Sequence, residues 1–341
     1  MRALISHLER DASLSEGQVG EAVSLLLSET TGDADKAAFL KALRTKGETA
    51  NEIVWFVNAL LARAVDPQIE PRKLPGPMID ICGTGGDRMN LFNVSTTSMF
   101  VMAAGGAVVV KHGNRGITSK CGGADVLESL GIRIDLSPGD LKRCVETVGA
   151  GFMFAPHYHP AFKAIAPVRK TLAAEGATTI FNLLGPVLNP ARPDYQLVGV
   201  FDKSMLPKFA AVLGLLGRKR AWALNSNGAD EIMPFEPTDV VETLSGAPTG
   251  EFIIHPWHFG INPCSIGELH GGDRAMNVKI LTGILEGAIR GGRRDIVALN
   301  AAAGFVITGL AHDFREGIAL ANEQIDTGRA LGKLREMQAF R

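Results

Sequence analysis

Met78-Ile79-Asp80-Ile81-Cys82-Gly83-Thr84-Gly85-Gly86-Asp87 is a short apolar run that opens into a glycine-rich loop. A second stretch repeats the pattern: Ala107-Val108-Val109-Val110, then Lys111-His112-Gly113-Asn114-Arg115. Each apolar run reads as a buried parallel strand. Each loop leads towards a helix, opened by Asn93-Val94-Ser95-Thr96 in the first case and Ala124-Asp125-Val126-Leu127 in the second. Two such units side by side put two glycine loops and two helix N-termini at one edge of a sheet. Backbone N–H groups there face outward, and the helix dipoles favour negative charge. The pattern predicts a site for a highly phosphorylated small molecule.

Outward from these loops, strand and helix patterns alternate from Met78 onwards, as in a mainly parallel sheet covered on both faces. Ser137-Pro138 caps a helix running to about residue 148, with proline at its first position. Strands follow at 151–155, 196–201 and 221–225, with a helix at about 204–216. Residues 159–188 break the rhythm with one helix and a Gly-Pro-rich turn, and are expected to return to the N-terminal helices. From about Arg274 the chain is mostly helical, with Gly291-Gly292 between two helices. Residues 1–65 read as helical throughout. Ser15 with Gln18 and Thr49 with Glu52 are capping-box pairs, each followed by apolar residues at helical spacing. Pro67, Pro71, Pro75 and Pro77 form a stiff connector. The expected fold is therefore α/β, with a small N-terminal helical domain (1–70, joined by about 159–188) and a large α/β domain (76–158 and 189–341).

Composition narrows the function. The 35 basic and 36 acidic residues give no overall field for a nucleic acid or an anionic membrane. No apolar run approaches membrane-spanning length; the stretch 298–310 is interrupted by Asn300, Gly304 and Thr308. Cys82, Cys121, Cys144 and Cys264 are too widely spaced for a metal knuckle, and are expected to be reduced thiols in a cytoplasmic protein. His157-Tyr158-His159 and His255-Pro256-Trp257-His258 lack metal-ligand spacing and read as structural loop histidines.

The residues in the loops suggest their chemistry. Gly83, Gly85 and Gly86 let backbone approach a ligand closely. Ser95 and Thr96 either cap the helix or turn their hydroxyls to a phosphate or a magnesium ion. Lys111 ends a buried strand, where its charge needs an anion. Arg115 and Lys120 add charge nearby, and Thr118 and Ser119 add hydroxyls. Asp230-Glu231 follows the strand at 221–225; adjacent carboxylates at a strand's C-terminal edge suit Mg²⁺ arriving with substrate phosphates. Arg169 is either a surface arginine or a bidentate partner for a substrate carboxylate, and the bare sequence leaves that open. The loops match neither a Walker A motif nor a GxGxxG dinucleotide fingerprint.

Several further stretches complete a resemblance that covers nearly the whole chain: ADVLESLG at 124–131, FAPHYHPAFKAIAPVRK at 154–170, TIFNLLGPVLNPARPDYQLVGV at 179–200, GADE at 228–231, GGDRAMN at 271–277 and LNAAAG at 299–304. With GTGGD at 83–87, NVST at 93–96 and KHGNR at 111–115, the chain resembles the anthranilate phosphoribosyltransferases. The resemblance implies transfer of phosphoribose from 5-phosphoribosyl-1-pyrophosphate (PRPP) to the amine of anthranilate in tryptophan biosynthesis, with Mg²⁺ as cofactor. It implies that Gly83, Gly85, Gly86 and Asp87 wrap the pyrophosphate, and that Asn93, Val94, Ser95 and Thr96 are PRPP-binding positions. It implies a second phosphate-binding loop of Lys111, His112, Gly113, Asn114, Arg115 and Ser119, with Gly123 behind it. Asn114 and Arg169 match anthranilate contacts, and Ser95, Asp230 and Glu231 match metal ligands. Lys111, Arg169, Asp230 and Glu231 are the expected catalytic residues. A hinge between the domains and a homodimer formed through the helices are also implied. The chain departs from the family pattern at Leu91, at Cys121-Gly122-Gly123, at Thr178, and in a lengthened 172–177 segment. Pyrimidine nucleoside phosphorylases share the architecture but normally carry Lys-x-Ser-Gly-Arg in the second loop, where this chain has Lys111-His112-Gly113-Asn114-Arg115.

Overall fold

A computed structural model describes residues 1–86, 89–116 and 120–341, which divide into two compact units, Met1–Asp66 with Pro156–Pro190, and Pro67–Ala155 with Ala191–Arg341. The smaller unit begins with α1 (Arg2–Leu8), α2 (Glu16–Leu26), α3 (Asp33–Lys46) and α4 (Ala50–Leu61). Both capping boxes are present: Ser15 with Gln18 opens α2, and Thr49 with Glu52 opens α4. Apolar stripes at helical spacing, such as Ile53, Phe56, Val57 and Leu60, are buried, and α2 packs on α4 while α1 packs on α3. Full burial of each large apolar side chain contributes about 1.5–3 kcal/mol. Glu52 has a second task. Its side chain and that of Lys46 are 0% and 3% exposed, form an ion pair of 2.5 Å, and tie in the Leu14 amide at 2.8 Å.

The larger unit starts with β1 (Met78–Gly83), α5 (Val94–Ala104), β2 (Val108–Gly113), α6 (Gly123–Ser129), α7 (Pro138–Val148) and β3 (Ala150–Phe154), after which α8 (Ala155–Tyr158) is a single turn. Ser137 caps α7 through the Asp140 amide, and Gly149 ends it in the left-handed region at φ 78°. The chain then contributes α9 (Ala166–Ala174) and α10 (Ile180–Leu184) to the smaller unit, where both pack on α3. Lys36 of α3 is buried and donates to the Ala164 carbonyl just before α9, at 3.0 Å.

Back in the larger unit come β4 (Tyr195–Gly199), α11 (Leu206–Leu215), β5 (Arg220–Asn225), β6 (Thr238–Leu244) and β7 (Ala247–Ile254). The chain closes with α12 (Ile266–Leu269), α13 (Arg274–Leu285), α14 (Gly292–Thr308), α15 (Phe314–Asp326) and α16 (Arg329–Ala339). Among the described residues, seven strands form one sheet in the order β3-β2-β1-β4-β5-β6-β7. The first five are parallel; β6 and β7 add an antiparallel hairpin at one edge. The sequence pattern leads to no expected element between 225 and 274. The hairpin's signal is Ser245-Gly246, both at positive φ (51° and 90°), as a two-residue type I′ turn requires. It is obscured because β7 contains Pro248 and Gly250 and is exposed along nearly its whole length. The core helix is α14, buried almost throughout and packed on α5, α15 and strands β1, β4 and β5.

In this order the chain winds outward from β1 to β2 and β3, then crosses back to β4 beside β1. That reversal leaves a crevice at the carboxyl ends of β1 and β4, the usual ligand position in an open α/β sheet.

Candidate active site

Gly83 ends β1 and Gly199 ends β4, paired to each other in register. The acidic loop after β5 folds over both. A Cβ on Gly199 would overlap the Asp230 carbonyl, and one on Gly83 would overlap the Asp230 carboxylate. Only glycine admits so close an approach of one loop to two strand ends. The Asp230 carboxylate accepts the Gly85 amide at 2.8 Å, so this N–H is turned towards a negative charge of the chain itself. Gly85 and Gly86 both lie at positive φ, 67° and 88°, and are exposed. Thr84 anchors the loop from below: its amide donates to the Gly199 carbonyl at 2.9 Å, and its hydroxyl accepts the Phe201 amide at 3.2 Å. Asp87 lies outside the described residues.

Lys111 does not end its strand, since β2 runs on to Gly113, and it is 4% exposed. Its ammonium donates to the Ile81 carbonyl and, at 3.3 Å, to the Ser95 hydroxyl. Among the described residues no carboxylate pairs with it. A buried ammonium satisfied only by neutral oxygens is a strong attractor for an anion. Asn93 precedes α5 but does not cap it with its side chain. Its Nδ2 donates instead to the Cys121 carbonyl at 3.1 Å, and its buried Oδ1 has no hydrogen-bond partner among the described residues. Val94 and Thr96, in the first turn of α5, are buried. A Cβ on Gly123 would stand 3.2 Å from the Thr96 hydroxyl, so the two helix openings adjoin.

His112 and Gly113 finish β2 opposite Met153 and Phe154 of β3. Asn114 is exposed, and its Oδ1 accepts the Arg115 amide at 2.8 Å. The Arg115 guanidinium forks onto Glu128 at 2.6 and 3.1 Å and lies over the Phe154 ring; it is thus paired with a carboxylate in this arrangement. Ser119 and Thr118 lie outside the described residues. The ends of this second loop are clamped by Asp125, whose Oδ2 accepts the Gly116 and Gly122 amides, both at 2.8 Å, while Oδ1 accepts Arg274 at 2.6 Å. Burial pushes the Asp125 carboxyl up, but the two amides and Arg274 outweigh it and hold it below its ordinary value. The segment bearing Arg274 also braces the chain after the first loop. Gly271 donates to the Asn90 carbonyl at 2.9 Å and Phe92 to the Leu269 carbonyl at 3.2 Å.

The acidic loop has its own supports. Ser226 Oγ donates to the Glu231 carbonyl at 2.7 Å and accepts the Met233 amide at 3.3 Å. Asn300, fully buried in α14, accepts the Ile232 amide at 3.1 Å and donates to the Ile232 carbonyl at 3.1 Å. Asp230 and Glu231 offer hard oxygen ligands, as Mg²⁺ prefers. No group of three or more His, Cys, Asp or Glu among the described residues could hold a metal by itself. The donor set therefore fits an ion that completes its shell with water and substrate phosphate, which is how Mg²⁺ usually binds.

Arg169 lies on α9 of the smaller unit. Its guanidinium sits 5.0 Å from the centroid of Phe181 on α10, and no carboxylate pairs with it among the described residues. Burial lowers its pKa from the ordinary value. Phe181 meets Phe162 edge-on at 5.6 Å, and Phe162 stacks on His159 at 5.1 Å. The cation thus rests on a packed aromatic column. His159 donates to the Leu188 carbonyl at 3.0 Å and burial lowers its pKa, so this histidine is structural. The rings of His255, Trp257 and His258 lie against one another. The four cysteines are free thiols; burial raises Cys144 to about 12 and Cys264 to about 11, leaving neither nucleophilic at neutral pH.

The sequence motifs assign no role to Asp125, Phe181, Ser226, Arg274 or Asn300. Asn300 has a signal all the same: it interrupts an otherwise apolar helix, where a polar side chain must find buried partners. Asp125 has one too, as an acidic residue in the first turn of a helix directly behind a glycine loop.

Comparison with known proteins shows the family and the fold. Residues 75–331 match the glycosyl transferase family, a/b domain, and residues 2–64 match the glycosyl transferase family, helical bundle domain. The chain is 40% identical to an anthranilate phosphoribosyltransferase of Roseiflexus castenholzii over 338 residues, 99% of this chain and 97% of that one. It is 42% identical to one of Anaeromyxobacter dehalogenans over 335 residues, 98% and 97% of the two chains. The crystal structure of anthranilate phosphoribosyltransferase from Thermus thermophilus superposes with a TM-score of 0.91 at 35% identity, covering 99% of this chain and 98% of that one. The Saccharomyces cerevisiae enzyme, in complex with PRPP and Mg, superposes with a TM-score of 0.86 at 26% identity, covering 98% and 97%. By sequence across its length and by fold, the chain belongs to the anthranilate phosphoribosyltransferase family.

Proposed function

We infer that this chain transfers the 5-phosphoribosyl group of PRPP to the amine of anthranilate, giving N-(5-phosphoribosyl)anthranilate and pyrophosphate, in tryptophan biosynthesis. The observation that carries this reading is Lys111, a buried cation without a carboxylate partner among the described residues, set beside a glycine loop at the crevice of the sheet. A polyanion such as a diphosphate is the ligand such a place favours.

In this reading the glycine loop of Gly83, Gly85, Gly86 and Asp87 wraps the pyrophosphate, with Asn93, Val94, Ser95 and Thr96 beside it. Lys111, His112, Gly113, Asn114, Arg115, Ser119 and Gly123 form the second side of the PRPP site. Mg²⁺ is the cofactor, as the complex of the S. cerevisiae relative supports; Ser95, Asp230 and Glu231 would hold it, where it supplies positive charge against the leaving pyrophosphate. Lys111 stabilises the same growing negative charge from a fixed, desolvated position. Arg169 pairs with the anthranilate carboxylate and, with Asn114, orients the amine towards the anomeric carbon of the ribose. An aryl amine is already neutral at pH 7, so the chain needs positioning more than a strong general base. We also propose that the protein is cytoplasmic and forms a homodimer through the helices of the smaller unit; sedimentation as a monomer at every concentration removes the dimer.

Anthranilate fluorescence tests the reaction. Its fluorescence is expected to fall with time only when PRPP and Mg²⁺ are both present, and a constant signal overturns the reading. The double variant Asp230→Ala, Glu231→Ala is expected to lose nearly all turnover and to alter its magnesium dependence; normal turnover removes the metal assignment.

A further inference from the structure

We propose that Asn300, on the core helix α14, is a positioning residue for the acidic pair, acting together with Ser226; this rests on the reaction proposed above. Asn300 is 0% exposed and Ser226 1% exposed. Neither side chain contributes to a helix cap or a strand ladder. Both bond to the backbone that follows Asp230. Asn300 accepts from the Ile232 amide and donates to the Ile232 carbonyl, both at 3.1 Å, and Nδ2 returns to the Ile296 carbonyl of its own helix at 2.8 Å. Its side chain thereby pairs with one residue as a neighbouring strand would. Ser226 holds the Glu231 carbonyl and the Met233 amide from the opposite side of the loop, and shares a 2.6 Å bond with the Thr238 hydroxyl.

The consequence is geometric. Residues 231–233 have backbone bonds to two fixed points, one on the core helix and one at the end of β5. The two carboxylates therefore leave the sheet edge from a rigid base, although they stand on a loop. Adjacent carboxylates repel each other, and an unsupported loop would relax by turning one of them towards water. The bonds from Ser226 and Asn300 fix the two peptides that follow Glu231, and so the path of the chain leaving the pair. An apolar residue at 300 would fill the space but leave the Ile232 amide and carbonyl buried and unpaired.

The test uses Asn300→Leu and Ser226→Ala in the full chain, with two readouts. The first is binding of Mn²⁺ together with PRPP, followed by electron paramagnetic resonance without anthranilate. The second is the Mg²⁺ concentration giving half-maximal velocity. Loss of an outer-shell support is expected to weaken metal retention by about 10-fold or more in Asn300→Leu, with the Mg²⁺ half-saturation rising in proportion and the anthranilate KM unchanged. A merely structural role would reduce melting temperature and the active fraction while leaving both metal readouts at their wild-type values, and that result overturns the proposal. If Asn300→Leu does not fold, Ser226→Ala decides by the same two readouts. Wild-type protein that binds no Mn²⁺ with PRPP would instead remove the reaction on which the inference rests.

Discussion

Arg169 is the residue whose surroundings say most about its task. A guanidinium resting over Phe181 and lacking a carboxylate partner among the described residues would, in the proposed role, lose less freedom when a carboxylate arrives than one held by no neighbour. Arg169→Ala is expected to raise the anthranilate KM by about 10- to 100-fold while leaving the PRPP KM near wild type. Steady-state kinetics with each substrate varied in turn checks this, and an unchanged anthranilate KM contradicts the role. Arg169→Lys should rescue poorly, because an ammonium neither stacks on the ring nor forks onto a carboxylate. At this scale the sequence discloses charged and glycine residues well. Lys111, Asp230 and the first loop stand out because their chemistry is local to short motifs. Phe181 and Asn300 do not, because their partners lie elsewhere along the chain and only packing brings them together.

Among the elements, the carboxyl end of β4 is the most tightly constrained. Gly199 carries the Asp230 carbonyl directly against its Cα. Gly199→Ala is therefore expected to push the acidic loop away from the glycine loop, lowering kcat and raising the PRPP KM together, with the anthranilate KM little affected. Thermal melting run beside the kinetics shows whether the fold survives; full activity in a folded variant would mean that the loop tolerates the shift. The clamp around the second phosphate loop predicts a companion result. Arg274→Ala leaves Asp125 without its ion pair, and faster hydrogen exchange at the Gly116 and Gly122 amides is expected, with the PRPP KM raised. The parallel strands are legible as apolar runs before glycine loops, and the capped helices as capping boxes. The β6–β7 hairpin is not, since an exposed edge strand has neither a continuous apolar run nor a strict alternation to announce it.

For the molecule as a whole, acid sensitivity has an identifiable source in the smaller unit. The Glu52 carboxyl is raised by burial, but the hydrogen bonds from Lys46, the Thr49 and Leu14 amides and the Thr49 hydroxyl outweigh this and lower it from its ordinary value. A carboxyl lowered on folding stabilises the native state above its unfolded pKa, and this contribution is lost as pH falls through the folded value. Glu52→Gln leaves Lys46 buried without a counter-charge and is expected to cost about 3–5 kcal/mol near neutral pH. The melting temperatures of variant and wild type should then converge as pH drops below the ordinary carboxylate range. A gap that stays constant down to that range would remove Glu52 as the source. The sequence foretells the α/β class and the helical N-terminal part, because hydrophobic period and caps are written along the chain. The reversal of strand order between β1 and β4, which creates the crevice, is a matter of which strands pair, and no local pattern carries it.

The hydrogen bond from the Gly85 amide to Asp230 makes the acidic loop and an incoming phosphate rivals for the same donor. In the proposed reaction, a diphosphate would have to displace the Asp230 carboxylate before that amide could serve it, which would leave the carboxylate to face a cation. Metal ion and sugar phosphate should accordingly enter as one unit, each making room for the other. In the same reading, once pyrophosphate has been formed the aspartate would compete for its seat and hasten its departure.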